Sequence, residues 1–376
     1  MPSTYESPSY IILIVKGMKY MTIGLRDWLI SISQLESIGR KSLAAILPHI
    51  EDIASHSTSS HLFPQIPELT SKRLKKVKQL TTEEVIETKN KLRELRVQTL
   101  TIIDPSYPAL LREIADPPFV LYARGNLQLL DLPAMAVVGT RLPTPYGKQV
   151  AFRFSEELDR AGFSVLSGLA KGIDAEAHRG SLAANGHTIA VLGSGINVIY
   201  PPQNEELYKR ILERGLILSE YPPGYPSHPL HFPARNRLIS GLSQGVLVVE
   251  AAIKSGSVIT VRCALDQGKE VLAVPGAIVS AQSQGTNRLI QEGAKLVTSI
   301  SDILDEFPQY RIVEMSKELT DNQLHILDIL ENTKKTINEL VERSHLSVQQ
   351  ILSELLSLQL QGKVEQLPGS CFVKKT

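Results

Sequence analysis

The middle of this sequence, from about residue 104 to residue 304, alternates short apolar runs rich in β-branched residues with amphipathic helical stretches. Strands joined through helices lie parallel, and strands covered on both faces are apolar along their whole length. The runs with this character are residues 134–139, 163–167, 187–193, 215–219, 246–250, 270–275 and 295–298. The clearest helical stretches between them are residues 146–161, 174–184 and 286–292. The alternation predicts an α/β fold, a Rossmann-like, doubly wound and mostly parallel sheet within residues 101–304.

The region before the sheet, residues 21–100, has helical periodicity interrupted by polar loops, which predicts a helical domain. Within it, the segment Leu35-Glu-Ser-Ile-Gly-Arg-Lys-Ser-Leu43 is typical of a helix-hairpin-helix turn. In that interpretation Gly39 permits the tight turn and the next helix starts near Lys41. An ordinary turn between two helices accounts for the segment equally well.

The region after the sheet is small and regular. Helical stretches at residues 322–330, 336–344 and 347–360 precede a β-wing pattern at residues 362–373. This order predicts a winged helix-turn-helix over residues 319–376, joined to the sheet by a linker at residues 305–318. The third helical stretch contains no Lys or Arg, which a major-groove reader uses to contact phosphates. We therefore favour a protein-interaction or regulatory module over a reader of duplex DNA.

Net charge, cysteine content and hydropathy limit the ligands and the cellular compartment that can be expected for this protein. The formal net charge is only +1, so nucleic-acid binding requires a local basic patch. Cys263 and Cys371 fit two reduced thiols, and their spacing suits no metal. The apolar run at residues 10–15 is too short to span a bilayer and follows no basic segment, so we expect a cytoplasmic protein without membrane contact. Its first residue is Met1, Met18 or Met21.

Residues suited to an anionic ligand follow several predicted strands, where an open α/β sheet binds its ligands. The first strand leads into Val138-Gly-Thr-Arg141, and Arg141 stands where a dinucleotide-binding loop has its second glycine. A guanidinium beside a helix N-terminus suits a phosphodiester on the surface. The alternative is that Arg141 tethers the neighbouring loop.

The second strand leads into Ser167-Gly-Leu-Ala-Lys-Gly-Ile-Asp174. Gly168 allows the backbone to approach a phosphate, Ser167 offers a hydroxyl, and Asp174 is expected to cap the next helix. Lys171 supplies a point charge or, equally well, lies solvated on the surface. His178 is interpreted as a packed or capping histidine and not as a base.

The proline-rich segment at residues 219–243 is the most distinctive in the chain. Pro233 is expected to start a helix with Arg235, Asn236 and Arg237 in its first turn. The helix dipole disfavours cations there, which indicates that an anionic ligand faces them.

Aromatic side chains accompany these arginines. Phe232 and Tyr225 are available for base stacking. The alternative for the arginines is pairing with local acids such as Glu220 or Glu250.

The next strand leads into a Ser/Gly turn that includes Ser255 and Gly256. No nucleophile, base and orienting group recur together at these strand ends, and no metal cluster or cofactor loop appears. The sequence therefore predicts a binding site and not a catalytic one, with neither metal nor cofactor.

Together these motifs resemble those of the DNA-processing protein family DprA/Smf, over nearly the whole middle region. The segments that carry the resemblance are Val138-Gly-Thr-Arg141, Ser167-Gly-Leu-Ala-Lys-Gly-Ile-Asp174, Phe232-Pro-Ala-Arg-Asn-Arg237, Ser255-Gly-Ser257 and Val274-Pro-Gly276. The resemblance implies a non-catalytic protein that protects incoming single-stranded DNA and loads the RecA recombinase onto it during natural transformation and recombination. It implies displacement of single-strand-binding protein and a homodimer formed through the Rossmann-like domain. It also implies a sterile-alpha-motif-like helical domain before the sheet and a winged helix after it.

The motifs and the resemblance together predict the residues that bind DNA. These are Gly139, Arg141, Ser167, Gly168, Lys171, Arg235, Asn236, Arg237, Ser255 and Gly256. Some family members have a DNA-contacting lysine after a Tyr-Pro pair. Pro202 stands at that position here, so the contact is absent or is supplied by Lys171.

Two other functions compete with this interpretation. The first is a nucleotide-binding or nucleoside-monophosphate-hydrolysing enzyme that resembles the lysine-decarboxylase-like Rossmann class. Those enzymes carry Pro-Gly-Gly-x-Gly-Thr-x-x-Glu near the equivalent strand end, whereas Glu250 here precedes a Ser-Gly-Ser turn without the Gly-Gly cradle. The second is a transcription regulator that uses the winged helix.

Overall fold

The computed structural model of the chain describes residues 11–13, 21–56, 63–310, 320–330, 333–360, 363–367 and 371–374. The chain divides into two compact units, Met1–Tyr310 and Arg311–Thr376. Its strands are β1 (Ile11–Leu13), β2 (Met21–Ile23), β3 (Gln98–Thr101), β4 (Val120–Gly125), β5 (Ala134–Val138), β6 (Ser164–Ser167), β7 (Thr188–Leu192), β8 (Leu216–Ser219), β9 (Gly245–Val248), β10 (Glu270–Ala273), β11 (Lys295–Leu296), β12 (Lys335–Thr336), β13 (Val364–Leu367) and β14 (Cys371–Lys374). Its helices are α1 (Leu25–Ser33), α2 (Arg40–Ile46), α3 (Ile50–His56), α4 (Ser71–Gln79), α5 (Thr82–Glu94), α6 (Ala109–Arg112), α7 (Pro145–Arg160), α8 (Ile173–Ala183), α9 (Glu205–Arg214), α10 (His231–Leu242), α11 (Ser257–Asp266), α12 (Gln284–Gln291), α13 (Ile300–Glu306), α14 (Asp321–Leu330), α15 (Ile337–Ser344) and α16 (Val348–Leu360). None of the described helices has the length and apolar character needed to cross a membrane.

The central sheet of the first unit has nine strands in the order β11-β10-β9-β5-β6-β7-β8-β4-β3. The seven strands from β11 to β8 are parallel, and β4 and β3 are antiparallel additions. From β5 the chain proceeds outward through β6 to β8 and then returns to β9 on the other side of β5. The reversal opens a crevice at the carboxyl ends of β5 and β9, where such sheets bind ligands. The predicted doubly wound, mostly parallel sheet is thereby confirmed, and each of its seven predicted strands is present within two residues of its predicted ends.

The two antiparallel strands are an addition that the sequence pattern did not indicate. β4 pairs with β8 through Tyr122 opposite Ser219, and β3 covers the outer edge of β4. The first four residues of β4 are all buried, so β4 lacks the polar alternation that marks an antiparallel strand with one solvated face. As a result the sheet begins at Gln98, within the region predicted to be helical.

The N-terminal helices share a hydrophobic core with one face of the sheet. Trp28 of α1, Ile46 of α2 and Val85 of α5 pack into the same buried cluster as Tyr122 of β4 and Ile217 of β8. The two regions therefore form one compact unit, with a core continuous across the predicted boundary at residue 100.

The turn between α1 and α2 differs from the expected glycine turn. Gly39 caps the N-terminus of α2 in an extended conformation (φ −109°, ψ −177°), and a Cβ there would meet open space. The left-handed residue of the turn is Ser37, with φ 73°. The expectation that Gly39 permits the tight turn is therefore wrong, and α2 starts at Arg40, one residue before the expected Lys41.

The predicted linker also begins too early. Asp305 and Glu306 end α13, and Phe307 is buried in the core, where its ring lies 6.5 Å from that of Phe163. An apolar side chain in this position fixes the backbone, so the first unit extends to Tyr310. Residues 311–318 of the predicted linker lie outside the described residues.

The second unit is a winged helix, as predicted. Helices α14, α15 and α16 surround a core that includes Ile326, Leu340, Ile351 and Phe372. Beside them lies a three-stranded sheet in the order β12-β14-β13. Residues 361–362 and 368–370 of the predicted wing lie outside the described residues.

Candidate nucleic-acid interface

The residues singled out by sequence gather at one edge of the sheet, which we call the carboxyl edge. It consists of the segments that follow five parallel strands, residues 139–144, 168–172, 193–201, 220–230 and 249–256. Because parallel strands end on the same side, these segments adjoin one another, and the start of α10 lies directly after the fourth of them.

Arg141 presents an exposed guanidinium at this edge. Its Cζ lies 5.4 Å from the centre of the Phe232 ring, a cation–π arrangement. Tyr200 stacks on Phe232, with ring centres 5.3 Å apart and planes 28° apart, and 42% of Tyr200 is exposed. We call these three side chains the Arg141 stack. It combines a charge suited to phosphate with an exposed ring suited to a base.

Lys171 is brought next to the Arg141 loop by close backbone packing. Gly172 has φ +79°, and a Cβ there would lie 2.4 Å from the carbonyl oxygen of Thr140. The amide of Ile173 donates a hydrogen bond to the same oxygen at 3.2 Å. The exposed Lys171 and Arg141 therefore lie on adjoining loops, which places two cations on one surface.

A second group of rings lies on the loop after β8, and we call it the Tyr221 cluster. Its members are Tyr221, Tyr225, His228 and His231. Tyr221 stacks on Tyr225 at 5.3 Å and on His231 at 4.4 Å, and His228 lies 5.3 Å from His231. Burial and the neighbouring His228 lower the pKa of His231, so its ring is neutral at neutral pH. Tyr225 is 42% exposed.

The Tyr221 cluster is held in place by backbone hydrogen bonds. Gly195 donates to the carbonyl oxygen of Tyr225 at 2.8 Å, and the Asn197 side chain accepts from Gly224 at 2.7 Å. Sequence reasoning singled out Phe232 and Tyr225 and missed their stacking partners. The density of rings between residues 221 and 232 is the signal that could have found Tyr221 and His231, whereas Tyr200 lies outside that segment.

Arg235, by contrast, is a buried side chain. Its Nη1 donates to the carbonyl oxygen of Gly168 at 2.7 Å and also to that of Val191. It is 4% exposed, and burial lowers its pKa to about 10. The guanidinium therefore ties the segment after β6 to the end of β7 from beneath the carboxyl edge.

Gly168 and Ser167 serve this same buried arrangement. A Cβ on Gly168 would lie 2.4 Å from Nη2 of Arg235, so the glycine makes room for the guanidinium. The Ser167 hydroxyl donates inward to the carbonyl oxygen of Val137 at 2.7 Å. The two residues are thus engaged with the protein in the structure.

Asp174 does not cap α8, contrary to expectation. It is the second residue of the helix, and the N-cap position is held by Gly172. Its carboxylate instead accepts from the amide of Gly168 at 3.2 Å, and burial raises its pKa against the opposing charge of Arg235. His178 on the same helix is buried, as expected of a packed histidine, with Nδ1 at 2.7 Å from Oγ1 of Thr188.

Arg237 is paired with acids. Its Nη2 lies 2.7 and 2.8 Å from the two carboxylate oxygens of Glu220, and its Nε lies 3.4 Å from Asp116. This is the local pairing that the sequence left open as the alternative. Burial raises the pKa of Glu220, and Arg237 opposes that shift.

The helix that carries these arginines starts earlier than predicted. α10 begins at His231, so Arg235, Asn236 and Arg237 lie beyond its first turn. The helix dipole at the first turn therefore does not act on these arginines, and the expectation of an anionic ligand on that ground is wrong. Asn236 is half-buried, and its side-chain oxygen accepts from Nε of Arg235 at 3.2 Å.

The segment after β9 is more open. Gly256 is exposed with free space around its Cα, and the Ser255 and Ser257 hydroxyls lie 2.8 Å apart. Gly139, after β5, is confined, because a Cβ there would lie 2.6 Å from Ile173.

The crevice between β5 and β9 is filled by a side chain of the protein itself. Glu250 accepts from the Thr144 hydroxyl at 2.6 Å and from the Thr144 amide at 2.9 Å, and it is 2% exposed. Its carboxylate thus occupies the N-terminus of α7, the position where a dinucleotide-binding fold holds pyrophosphate. In this structure Glu250 serves as a buried hydrogen-bond acceptor that holds the start of α7. Among the residues that the structure describes, no group of three or more His, Cys, Asp or Glu side chains is arranged to hold a metal ion.

An open, mostly parallel sheet whose carboxyl edge presents two cations and stacked rings, followed by a winged helix, defines a class of Rossmann-like proteins with a C-terminal winged-helix unit. Within that class, the chain belongs to the family of DNA recombination-mediator protein A, whose model matches residues 98–308, and the DprA winged helix domain model matches residues 315–370.

Named relatives support this assignment. The chain is 45% identical to the DNA processing protein DprA of Bacillus subtilis over 221 residues, which cover 58% of this chain and 74% of the relative. It is 37% identical to the protein Smf of Synechocystis over 319 residues, which cover 74% of this chain and 80% of the relative.

Solved structures of two relatives also support the family assignment. DNA processing protein A of Streptococcus pneumoniae superimposes with a TM-score of 0.65 at 36% identity, covering 74% of this chain and 97% of that one. DNA processing protein A of Helicobacter pylori, whose structure concerns its single-stranded DNA binding mode, superimposes with a TM-score of 0.52 at 34% identity, covering 57% and 96%.

Proposed function

We propose that this protein binds single-stranded DNA along the carboxyl edge without catalysing a reaction on it. Arg141 and Lys171 contact phosphates, and bases stack on the exposed rings of Tyr200 and Tyr225. The observation that carries the proposal is the Arg141 stack, in which an exposed guanidinium lies over the half-buried Phe232 ring and the exposed Tyr200 ring stacks on Phe232. Single-strand binders combine these two features and show little sequence preference.

The buried arginines have a different role in this proposal. Arg235 supports the segment after β6, and Arg237 joins α10 to Glu220. Both arginines thus shape the surface, and direct contact with DNA is left to Arg141 and Lys171. Gly139, Ser167, Gly168 and Asn236 likewise position the loops. Ser255 and Gly256 remain available for the phosphate backbone, because their turn is open.

The decisive experiment compares Arg141→Ala with the matched variant Arg160→Ala in oligothymidine binding by fluorescence anisotropy. Arg160 is an exposed arginine at the end of α7, near the opposite edge of the sheet. Loss of one charge-assisted phosphate contact should weaken binding about tenfold to a hundredfold in Arg141→Ala and leave Arg160→Ala unchanged. Equal affinities for the wild type and both variants would refute the assignment of the interface.

We further propose that the protein protects incoming strands and loads RecA onto them in the cytoplasm, in competition with single-strand-binding protein. The support is membership of a recombination-mediator family together with the DNA-binding mode described for the Helicobacter relative. RecA filament assembly should be faster on strands coated with single-strand-binding protein when this chain is added. Assembly at an unchanged rate would contradict the loading role, and release of free base from nucleoside monophosphates would contradict the non-catalytic one.

We also propose a homodimer formed through the Rossmann-like part. Large apolar side chains are exposed on α11 and on the segment after β10, namely Ile259, Leu265, Ile278 and Val279. Exposed apolar patches mark protein interfaces, and we propose that α11 and this segment contribute to one. Leu265→Asp should therefore shift sedimentation towards the monomer, whereas Ile103→Asp at another exposed apolar position should not.

A further inference from the structure

The N-terminal helix α4 is the most basic of the helices and strands that the structure describes. Its nine residues, Ser-Lys-Arg-Leu-Lys-Lys-Val-Lys-Gln, include five basic side chains and no acid. The whole chain, with 40 basic and 39 acidic residues, has a net charge of only +1. The positive charge is therefore concentrated locally, as nucleic-acid binding by a near-neutral protein requires.

The fold turns this charge outward. Val77 is buried and Leu74 half-buried in the core shared with the sheet, so the opposite side of α4 faces solvent. Lys72 and Lys75 are exposed on that side and Lys78 is exposed at its margin, beside Phe63, and we call these three residues the α4 basic face. Like charges three residues apart on one helix face repel one another, and a bound polyanion relieves that repulsion.

One acid, Glu36, offsets part of the charge of α4, because Lys76 pairs with it and the charge of Lys72 also lowers its pKa. Lys76, beside the α4 basic face, lies 2.9 Å from Glu36, and Lys78 lies over the ring of Phe63 at 5.1 Å. Lys72 and Lys75 form no ion pair within 4.0 Å in the parts of the chain that the structure describes. These two ammonium groups are therefore available to an external anion.

The α4 basic face lies near the β8 end of the carboxyl edge. Glu36, the partner of Lys76, belongs to the turn that leads into Arg40 at the start of α2. Arg40 is ion-paired with Asp116, Asp116 lies 3.4 Å from Nε of Arg237, and Nη2 of Arg237 lies 2.7 Å from Glu220. The ion pairs that begin at α4 and at this turn therefore lead to Glu220, the residue before Tyr221 of the cluster proposed to stack on bases.

We infer that a single strand bound along the carboxyl edge continues past the Tyr221 cluster onto the α4 basic face, which binds its phosphates. The N-terminal helices thus form a second binding segment for the same strand. This inference rests on the proposed function and adds a segment that short strands do not reach.

The test measures binding of oligothymidines of about 6 and about 20 nucleotides at several salt concentrations. The variant K72Q/K75Q removes two charges, K72R/K75R keeps them, and R160Q/R214Q removes two exposed charges from helix ends near the opposite edge of the sheet. For the long strand, K72Q/K75Q should weaken binding about tenfold and reduce the slope of log affinity against log salt by about 1.4, since each single-strand phosphate contact contributes about 0.7. The short strand should bind all variants alike, and the two control variants should bind the long strand as the wild type does.

Other outcomes overturn the inference. An unchanged salt slope for the long strand in K72Q/K75Q shows that α4 touches no phosphate, and equal weakening for both lengths shows that α4 does not form a separate segment. Binding to vesicles rich in anionic phospholipid, lost in K72Q/K75Q without any change in DNA binding, would assign the face to a membrane surface. Failure of the proposed function itself is distinguishable, because Arg141→Ala would then leave the short strand unaffected.

Discussion

Substitution of Gly168 and Arg235 by alanine, singly and together, tests whether a buried guanidinium supports the carboxyl edge. In the wild type, Arg235 donates to the carbonyl oxygens of Gly168 and Val191, and a Cβ on residue 168 would lie 2.4 Å from its Nη2. The guanidinium is held at two carbonyl oxygens, so it cannot swing aside as the end of a free side chain would. A methyl group at position 168 must therefore displace the guanidinium or the strand end.

The expected magnitudes follow from these contacts. Gly168→Ala should cost about 1–3 kcal/mol of unfolding free energy, as overpacking does in a filled interior. Arg235→Ala should cost about 3 kcal/mol or more of unfolding free energy. It leaves two buried carbonyl oxygens unpaired and removes the positive charge that offsets the cost of burying the Asp174 carboxylate. In the double variant the added methyl group meets no guanidinium. The loss of unfolding free energy in the double variant should therefore be about 1–2 kcal/mol smaller than the sum of the losses in the two single variants.

Urea unfolding followed by tryptophan fluorescence measures these values for the first unit. The chain has one tryptophan, Trp28, which is buried in the core shared by the N-terminal helices and the sheet. Gly256→Ala is the matched control, because a Cβ there meets open space in a helical conformation, and it should be neutral or slightly stabilising. Additivity of the Gly168 and Arg235 substitutions within about 0.5 kcal/mol would refute the proposed support.

Three further predictions concern stacking and pH. Tyr200→Ala should weaken oligothymidine binding by about 1–3 kcal/mol while Tyr200→Phe binds normally, and an unaffected Tyr200→Ala would remove that ring from the interface. Burial lowers the pKa of His178 to about 3, below its value in the unfolded chain. Between about pH 6.5 and pH 3 the unfolded chain therefore carries a proton on His178 that the folded chain does not, and stability falls as the pH drops through this range. In urea titrations His178→Leu should therefore show a shallower loss of stability in acid, and an identical pH profile would contradict the assignment. The amides of Thr298 and Ser299 lower the pKa of Asp302, so its stabilisation is present above the unfolded pKa and lost as pH falls through the folded one. Asp302→Asn should lower stability at neutral pH and have no effect in strong acid, as judged by the same titrations.

Much of the fold could be predicted because its elements follow local rules. Buried parallel strands such as β5 are continuous apolar runs, and the winged-helix unit shows three periodic helices followed by a wing pattern. Strand β4 escaped prediction because it is a buried antiparallel strand without alternation. The sequence pattern also could not predict that Trp28 and Tyr122 share one core. Periodicity shows that one face of an element is apolar, but it does not show which distant element packs against that face.

The sequence by itself determined that the protein is a Rossmann-like sheet with a winged helix, and that glycines, serines and arginines gather at the carboxyl edge. Only the tertiary structure decided which arginine faces solvent. Arg235 is buried because Gly168 leaves space for it, Arg237 is neutralised by Glu220, and Arg141 remains exposed over Phe232. The physical reason is that desolvation and pairing depend on neighbours contributed by other strands and loops. Identical side chains in one motif-rich segment can therefore have opposite roles.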